Sequence, residues 1–524
     1  MMLGNKIFLY DTTLRDGTQA EEVNFTVNDK IRIAKRLIDF GIDCVEGGWP
    51  GSNPRDIEFF KTLASEDVPK GKISAFGSTR RAKLACDSDA IIQSLLAADV
   101  PNLTIFGKAW DLHVRDALGI TPEENLELVY DTIRYLKKRA DKVYFDAEHF
   151  FDGYKANREY ALKVLRTAID AGADCVALCE TNGGKLPDEI FAVSSEIKNF
   201  LNDVPFGIHC HNDCECAVAN TVMAVLAGAA HIQGTVNGIG ERCGNANLCS
   251  IIPNLQLKYG YDCVASERLA ELRDVSIFVN ELGNLSPNNK QPYVGRSAFA
   301  HKGGVHVSAI MKNSATYEHI KPELVGNSQR VLLSDLSGKS NLFYKAKSFG
   351  YNLSDQNAGE ILEKLKLMEN RGYEYEGAEA SFELIILSAL GKLPVFFNLI
   401  GYRVIDDKRS LYESPLAEAT VILSVDSDTE HTAAHGNGPV NALDNAVRKA
   451  LLKFYPSLAS MTLVDYKVRI LDGSDGTGAL TRVLMESSDE SASWSTVGVA
   501  ANIIDASYQA LVDAIQYKLY KGSK

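Results

Sequence analysis

From Lys6 to about residue 260 one rhythm repeats: a short apolar run, a cluster of polar or glycine residues, then an amphipathic stretch. Eight runs are strand candidates. They begin at Lys6 (KIFLYD), Asp43 (DCVEGGW), Lys72 (KISAFGS), Asn102 (NLTIFGK), Lys142 (KVYFDAE), Asp174 (DCVALCET), Pro205 (PFGIHCHND) and His231 (HIQGTVNGIG). Segments such as 27–40, 56–64, 88–98, 122–139 and 157–171 carry apolar residues at i, i+3 and i+4, and are predicted helices. Alternating β and α units predict an α/β chain with a parallel sheet. Eight units at a spacing of roughly 30–40 residues match a closed (β/α)8 TIM barrel. A doubly wound open sheet is the competitor, because periodicity says nothing of closure. The number of units and their total length favour the barrel.

After Gly260 the strand rhythm stops. Residues 265–395 are mostly helical in pattern, for example 266–282 and 358–369, with a polar, glycine-bearing interruption over 298–320. Beyond 396 strand candidates return (RVIDD, ATVILSVD, VDYKVRIL, RVLMESS), with helices expected over 440–454 and 501–520. Asn441-Ala-Leu-Asp444 and Asn502-Ile-Ile-Asp505 open these two helices alike, which predicts a small α+β domain with internal pseudo-symmetry. At 524 residues the chain exceeds one hydrophobic core. The expected division is a catalytic barrel over 1–265, helical linker subdomains over 266–395 and a C-terminal α+β domain over 396–524. The last has no cysteine and no acid/base cluster, so it reads as a sensing or association module.

A net charge of −13 argues against broad nucleic-acid binding. There is no run long and apolar enough for a membrane span, and the start MMLGNKIFLYD has no leader pattern, so a cytoplasmic protein is expected. All ten cysteines lie between Cys44 and Cys263, mostly in apolar runs, as reduced buried thiols would. Cys210, Cys214 and Cys216 beside His209 and His211 make a structural zinc site conceivable, but the paired CxxC spacing is missing.

Candidate chemistry gathers at predicted strand ends, where barrels carry their sites. Asp11, Arg15, Asp16 and Gln19 follow the first strand; for Arg15 and Asp16 the plain alternative is a surface ion pair. His209 and His211, at i and i+2 on one strand, face one space with Cys210 turned away, a pattern that favours metal ligands over structural histidines. Strands one and seven lie two apart in a closed barrel, so Asp16 can complete a two-histidine, one-carboxylate site with open positions. Asn245, among glycines in NGIGERCGNANL, is a further oxygen ligand or only a turn residue. Glu148 and Thr181 end strands five and six, as catalytic or substrate-binding groups or as helix caps.

DTTLRDGTQ, HCHND, GERCGNANL and GGVH together resemble the metal-dependent TIM-barrel acyl-CoA condensing enzymes, the 2-isopropylmalate, homocitrate and citramalate synthases, over essentially the whole chain. HGNGPVNALDNAV, LVDYKVRIL and WSTVGVAANIIDASYQALVDAI resemble the allosteric domain of that family. The loops EGGWPGSNPRD and FDAEHFFDGY look most like its citramalate branch, which uses acetyl-CoA and pyruvate. The resemblance implies Asp16, His209 and His211 as ligands of Mn²⁺, Mg²⁺ or Zn²⁺, with Asn245 close by. It also implies Arg15 as the group that polarises the keto oxygen, and Glu148 and Thr181, with Gln19, around the 2-oxo acid. His306 and Tyr317 match residues delivered across a domain-swapped homodimer, His306 as the base with His301 as near rival. An amino-acid effector is implied at the C-terminal domain, isoleucine or leucine by branch, with the helix starts near Pro439 and Ala501 as places for its carboxylate. Three alternatives stand beside this reading: a 2-isopropylmalate synthase with a larger pocket, for which Phe106 and Asp146 are candidate wall residues; a carbon–carbon lyase using Cys243; and a catalytically silent amino-acid sensor.

Overall fold

The computed structural model describes residues 6–202, 204–332, 338–408, 411–412, 414–471 and 478–523; residues 1–5 of the stretch read for a leader lie outside them. All eight expected barrel strands form: β1 (Phe8–Asp11), β2 (Cys44–Gly48), β3 (Ile73–Ser78), β4 (Asn102–Lys108), β5 (Lys142–Glu148), β6 (Cys175–Glu180), β7 (Phe206–Cys210) and β8 (His231–Gly234). They pair in order, all parallel, and β8 returns to β1 with Phe8 opposite His231 and Asp11 opposite Gly234. The sheet is closed, so the open-sheet alternative falls.

Alternate side chains face the helix layer or the barrel axis. In β7, Ile208 and Cys210 join the outer apolar layer with Leu178, Val225 and Ile232, while His209 points to the axis beside Gln233 of β8. The helices match their expected segments to within a few residues. Val27–Phe40 starts at a capping box, in which Thr26 and Asp29 each satisfy the other's backbone N–H, a cap worth about 1 kcal/mol. It ends at Gly41 in the left-handed conformation (φ 119°) and buries Ile31, Ala34, Leu37 and Phe40.

The chain divides into two compact units, Met1–Phe299 with Ile320–Ser328, and Ala300–His319 with Gln329–Lys524. In the first, the expected helix over 266–282 is two, Ser266–Leu269 and Leu272–Leu282. The break falls at Glu271, whose carboxylate accepts from Arg36 (2.7 Å) and Arg268 (2.9 Å).

The second unit starts with a short parallel pair, Ala300–His301 with Arg330–Val331, and the helices Gly304–Ile310, Lys339–Ser348, Asp355–Asn370 and Glu379–Ala389. Two three-stranded antiparallel sheets follow, each closed off by a helix: Asn398–Asp407, Leu416–Val425 and Asp428–Gly436 before Pro439–Leu451, then Thr462–Ile470, Thr481–Ser488 and Ser493–Ala500 before Ile503–Gly522. Two of these strands, Asp428–Gly436 and Ser493–Ala500, had no counterpart among the sequence candidates. Small and polar residues interrupt any apolar run in both: Asp428–Gly436 buries no residue, and Ser493–Ala500, though buried from Thr496 to Val499, is broken by serine, threonine and glycine. The faint repeat is a βββα unit used twice, and its two asparagines differ in role. Asn502 caps its helix by accepting from Ile504 N (2.8 Å), whereas Asn441 lies inside its helix and accepts from Asn437 N (3.0 Å). Among the described residues no helix is long and apolar enough to cross a membrane.

Candidate active site and metal centre

The turn after β1 is built by Asp11. Its buried carboxylate accepts from Thr13 N (2.9 Å) and Thr13 Oγ1 (2.8 Å), and burial pushes this carboxyl up to about 7. Thr13 Oγ1 in turn accepts from Val236 N (2.9 Å), tying the turn to the end of β8. The 3₁₀ turn Asp16–Gln19 then aims Arg15 and Asp16 across the mouth of the barrel. Arg15 is no surface ion pair: its side chain is 11% exposed, Nε donates to Glu46 Oε2 (2.6 Å), and Nη1 donates to Asp16 Oδ2 (2.9 Å). Its guanidinium also covers the Phe76 ring at 3.9 Å. Burial opposes the Arg15 charge, but Glu46 and Asp16 more than offset it and hold the guanidinium protonated.

Asp16, His209 and His211 present one ligand atom each, all within 4.8 Å of one another and all on buried side chains. His209 Nε2 is 3.4 Å and His211 Nε2 3.9 Å from Asp16 Oδ2, and the two Nε2 atoms are 3.3 Å apart. Burial disfavours the Asp16 charge, yet Arg15 and the two histidines outweigh it and keep the carboxyl well below its usual range. His211 moves the other way, down to about 4, through burial and the neighbouring His209. Several buried polar atoms around this point have no partner among the described residues: Asp16 Oδ1, His211 Nδ1, and both amide atoms of Asn245. Asn245 is delivered by a backbone bridge to His211. The loop can bend this way because Gly244 has φ +92°, where an added Cβ would lie 2.0 Å from Gly238 O. Converging lone pairs and unpaired buried oxygens are what a cation would satisfy, so these residues fit a divalent metal.

A cavity of about 150 Å³ opens beside this cluster, lined among others by Gln19, Glu148 and Thr181. Glu148 is paired with Lys108. Thr181 Oγ1 accepts from His149 N (3.0 Å), which leaves its own hydroxyl proton for a ligand. Trp49, Phe76 and Phe106 form an aromatic wall, with Trp49 edge-on to both rings at 5.6 and 5.5 Å. Asp146 lines the cavity as well, its carboxyl pushed up to about 7 by burial and by Glu46.

The structure therefore brings Arg15, Asp16, Gln19, Glu148, Thr181, His209 and His211 to one place, with Asn245 adjoining. His306 and Tyr317 lie in the second unit, both exposed, with rings stacked at 4.2 Å; His301 is instead bonded to the buried Glu318 (3.1 Å). The cysteine cluster does not form a zinc site. Cys210 points into the outer core, Cys214 is exposed, and the one candidate ligand group found among the described residues contains no cysteine. Sequence reasoning missed Glu46, which also accepts from Tyr10 Oη (2.8 Å), and Gln233. Both are polar residues within otherwise apolar strand runs, a signal that could have found them, whereas Glu148 was marked by its place at a strand end.

Comparison with known proteins shows the family. Residues 6–279 match the family model described as HMGL-like. The chain is 58% identical to the (R)-citramalate synthase of Geobacter sulfurreducens, over 98% of each protein. The chain belongs to the (R)-citramalate synthase group of the HMGL-like family. Citramalate synthases are acetyl-CoA-condensing transferases, and the HMGL-like family depends on a divalent metal. Residues 293–373 match a homocitrate synthase post-HMGL domain-like model, and 376–519 match a LeuA allosteric (dimerisation) domain. The group's Aquifex aeolicus (R)-citramalate synthase is 54% identical over 99% of each chain. A probable 2-isopropylmalate synthase of Methanopyrus kandleri is more distant, at 32% over 98% of each.

Proposed function

We propose that this enzyme joins the methyl carbon of acetyl-CoA to the keto carbon of pyruvate and hydrolyses the thioester, giving (R)-citramalate and CoA. The observation that carries this reading is the single cavity holding Arg15, the Asp16/His209/His211 cluster, Glu148 and Thr181. Its volume of about 150 Å³ and its wall of Trp49, Phe76 and Phe106 suit a small 2-oxo acid better than a branched one. A divalent ion (Mn²⁺, Mg²⁺ or Zn²⁺) held by Asp16, His209 and His211, with Asn245 beside them, would act as a Lewis acid on the substrate carbonyl. Arg15, fixed by Glu46, meets the alkoxide that develops on the keto oxygen. The Thr181 hydroxyl donates to the 2-oxo acid carboxylate, with Gln19 at the rim and Glu148 orienting the acid. His306 takes a proton from the acetyl methyl group, with Tyr317 stacked on it; His301 is committed to Glu318 and less free to do so. These two residues belong to the 266–395 segment and reach the barrel of a partner subunit in a homodimer.

Residues 396–524 serve as the regulatory domain of isoleucine synthesis. Within it a cavity of about 290 Å³ is lined by Val440, Asn441, Asp444, Arg448, Tyr466 and Met485, beside the start of the helix Pro439–Leu451. No side chain caps that helix start, whereas Asn502 already caps the other, so the Pro439 end is the better receiver of an effector carboxylate. The ten free cysteines of the chain, all between Cys44 and Cys263, suit a reducing cytoplasm. The test is CoA release from acetyl-CoA with a panel of 2-oxo acids, with and without divalent metal. Turnover on pyruvate far above 2-oxoisovalerate is expected. Preference for 2-oxoisovalerate would make it a 2-isopropylmalate synthase, and no release at all would leave a sensor. Removing residues beyond about 400 should abolish isoleucine inhibition; inhibition that survives the truncation would sink the regulatory assignment.

A further inference from the structure

We infer that Gln233 is the positioning residue of the metal centre: its side-chain oxygen holds the Nδ1 proton of His209 and so turns Nε2 of that ring toward Asp16 and His211. The inference rests on reading Asp16, His209 and His211 as a metal site, and on nothing in the condensation chemistry.

A glutamine amide has one donor end and one acceptor end. Asp146 occupies the donor end, since Gln233 Nε2 donates to Asp146 Oδ1 at 2.7 Å. The acceptor end, Oε1, then faces His209 Nδ1 at 2.9 Å, and that nitrogen must carry a proton to make the bond. Nδ1 holds this proton in both the neutral and the charged ring. The other nitrogen, Nε2, 3.4 Å from Asp16 Oδ2 and 3.3 Å from His211 Nε2, is thereby left to present its lone pair to a cation.

The register makes the contact unavoidable, because β7 and β8 pair with His209 directly opposite Gln233. All three side chains are buried, so water does not compete for these bonds. His211 has no such support, as its Nδ1 is buried without a partner among the described residues. Metal-ligating histidines are usually oriented by a carboxylate or a carbonyl on the second nitrogen. Here a neutral amide does this, and a carboxyl one step further out fixes which way the amide points.

The test uses the full chain stripped of metal and titrated with Mn²⁺ by calorimetry. Wild type should bind one ion per subunit and His209→Ala should not. Failure of either result would remove the metal-site reading itself. Gln233→Met keeps the volume and loses the acceptor, and is expected to raise the Mn²⁺ Kd by about 10–100-fold. Gln233→Glu restores an acceptor oxygen and should recover most of that loss. An unchanged Kd in Gln233→Met, beside a dead His209→Ala, overturns the inference and leaves the metal site standing. A measurement on the wild type needs no variant to fold. In Zn²⁺-loaded protein labelled with ¹⁵N-histidine, His209 should carry its proton on Nδ1 and its metal on Nε2, and the reverse assignment would refute the inference.

Discussion

Arg15 spends its planar fork on two carboxylates at once, Glu46 through Nε and Asp16 through Nη1. A lysine cannot span both, so Arg15→Lys leaves one buried carboxylate without its partner and shifts the charge away from the developing alkoxide. The expected loss is about 10²–10³-fold in kcat, read by steady-state CoA release; a loss below about tenfold would argue against Arg15 as the stabilising group. His306 and His301 separate in the same way. His306→Gln should cost about 10²–10⁴-fold in rate with little change in Tm, since the ring is exposed. His301→Leu should do the opposite, keeping the chemistry and lowering Tm, because it strips the buried Glu318 of its partner.

At the level of elements, the site depends on a clamp that no motif announces. Lys30, buried in the helix Val27–Phe40, donates to Asp56 Oδ1 (2.5 Å) and to Gly47 O (3.3 Å). Asp56 Oδ2 accepts from Trp49 N (2.8 Å), so this ion pair holds the chain just where it leaves β2 for the cavity wall. Gly48 permits the approach: its φ is +150°, and a Cβ there would sit 2.4 Å from the Asp56 carboxyl carbon. Lys30→Met removes one partner of a buried pair and should destabilise the protein by about 3–5 kcal/mol, measured by urea unfolding. It should also relax selection among 2-oxo acids by loosening Trp49, and a variant as stable and as selective as wild type would refute the clamp.

At the scale of the whole molecule, stability should respond to pH through a group of the second unit. Asp513, on the helix Ile503–Gly522, accepts from Ser381 Oγ on Glu379–Ala389 (2.6 Å), and burial pushes its carboxyl from 3.8 up to about 7. The folded state thus keeps this proton to higher pH than the unfolded chain. The stabilisation is complete below the unfolded value and is lost as pH rises through about 7. Asp513→Asn stays neutral throughout, so its Tm should gain on wild type by a few degrees between pH 5 and pH 8.5. Parallel Tm curves would remove Asp513 as the cause.

By itself the sequence determined the barrel and most of its mouth. Period-2 and period-3.6 patterns are local, and eight of them in a row leave few ways to cover a parallel sheet. The pairing of His209 with His211 follows from strand geometry alone, and Asp16 joins them once strand order is known. Tertiary structure decided what depends on register between distant segments. Closure came from β8 beside β1, and Glu46 and Gln233 gained their roles only when strands set Tyr10 and His209 against them. Two antiparallel strands of the second unit stayed hidden because small and polar residues break up their apolar signal. Cys210 differs from its histidine neighbours for the same geometric reason: a strand alternates faces, and closure of the barrel made one face the site and the other the core.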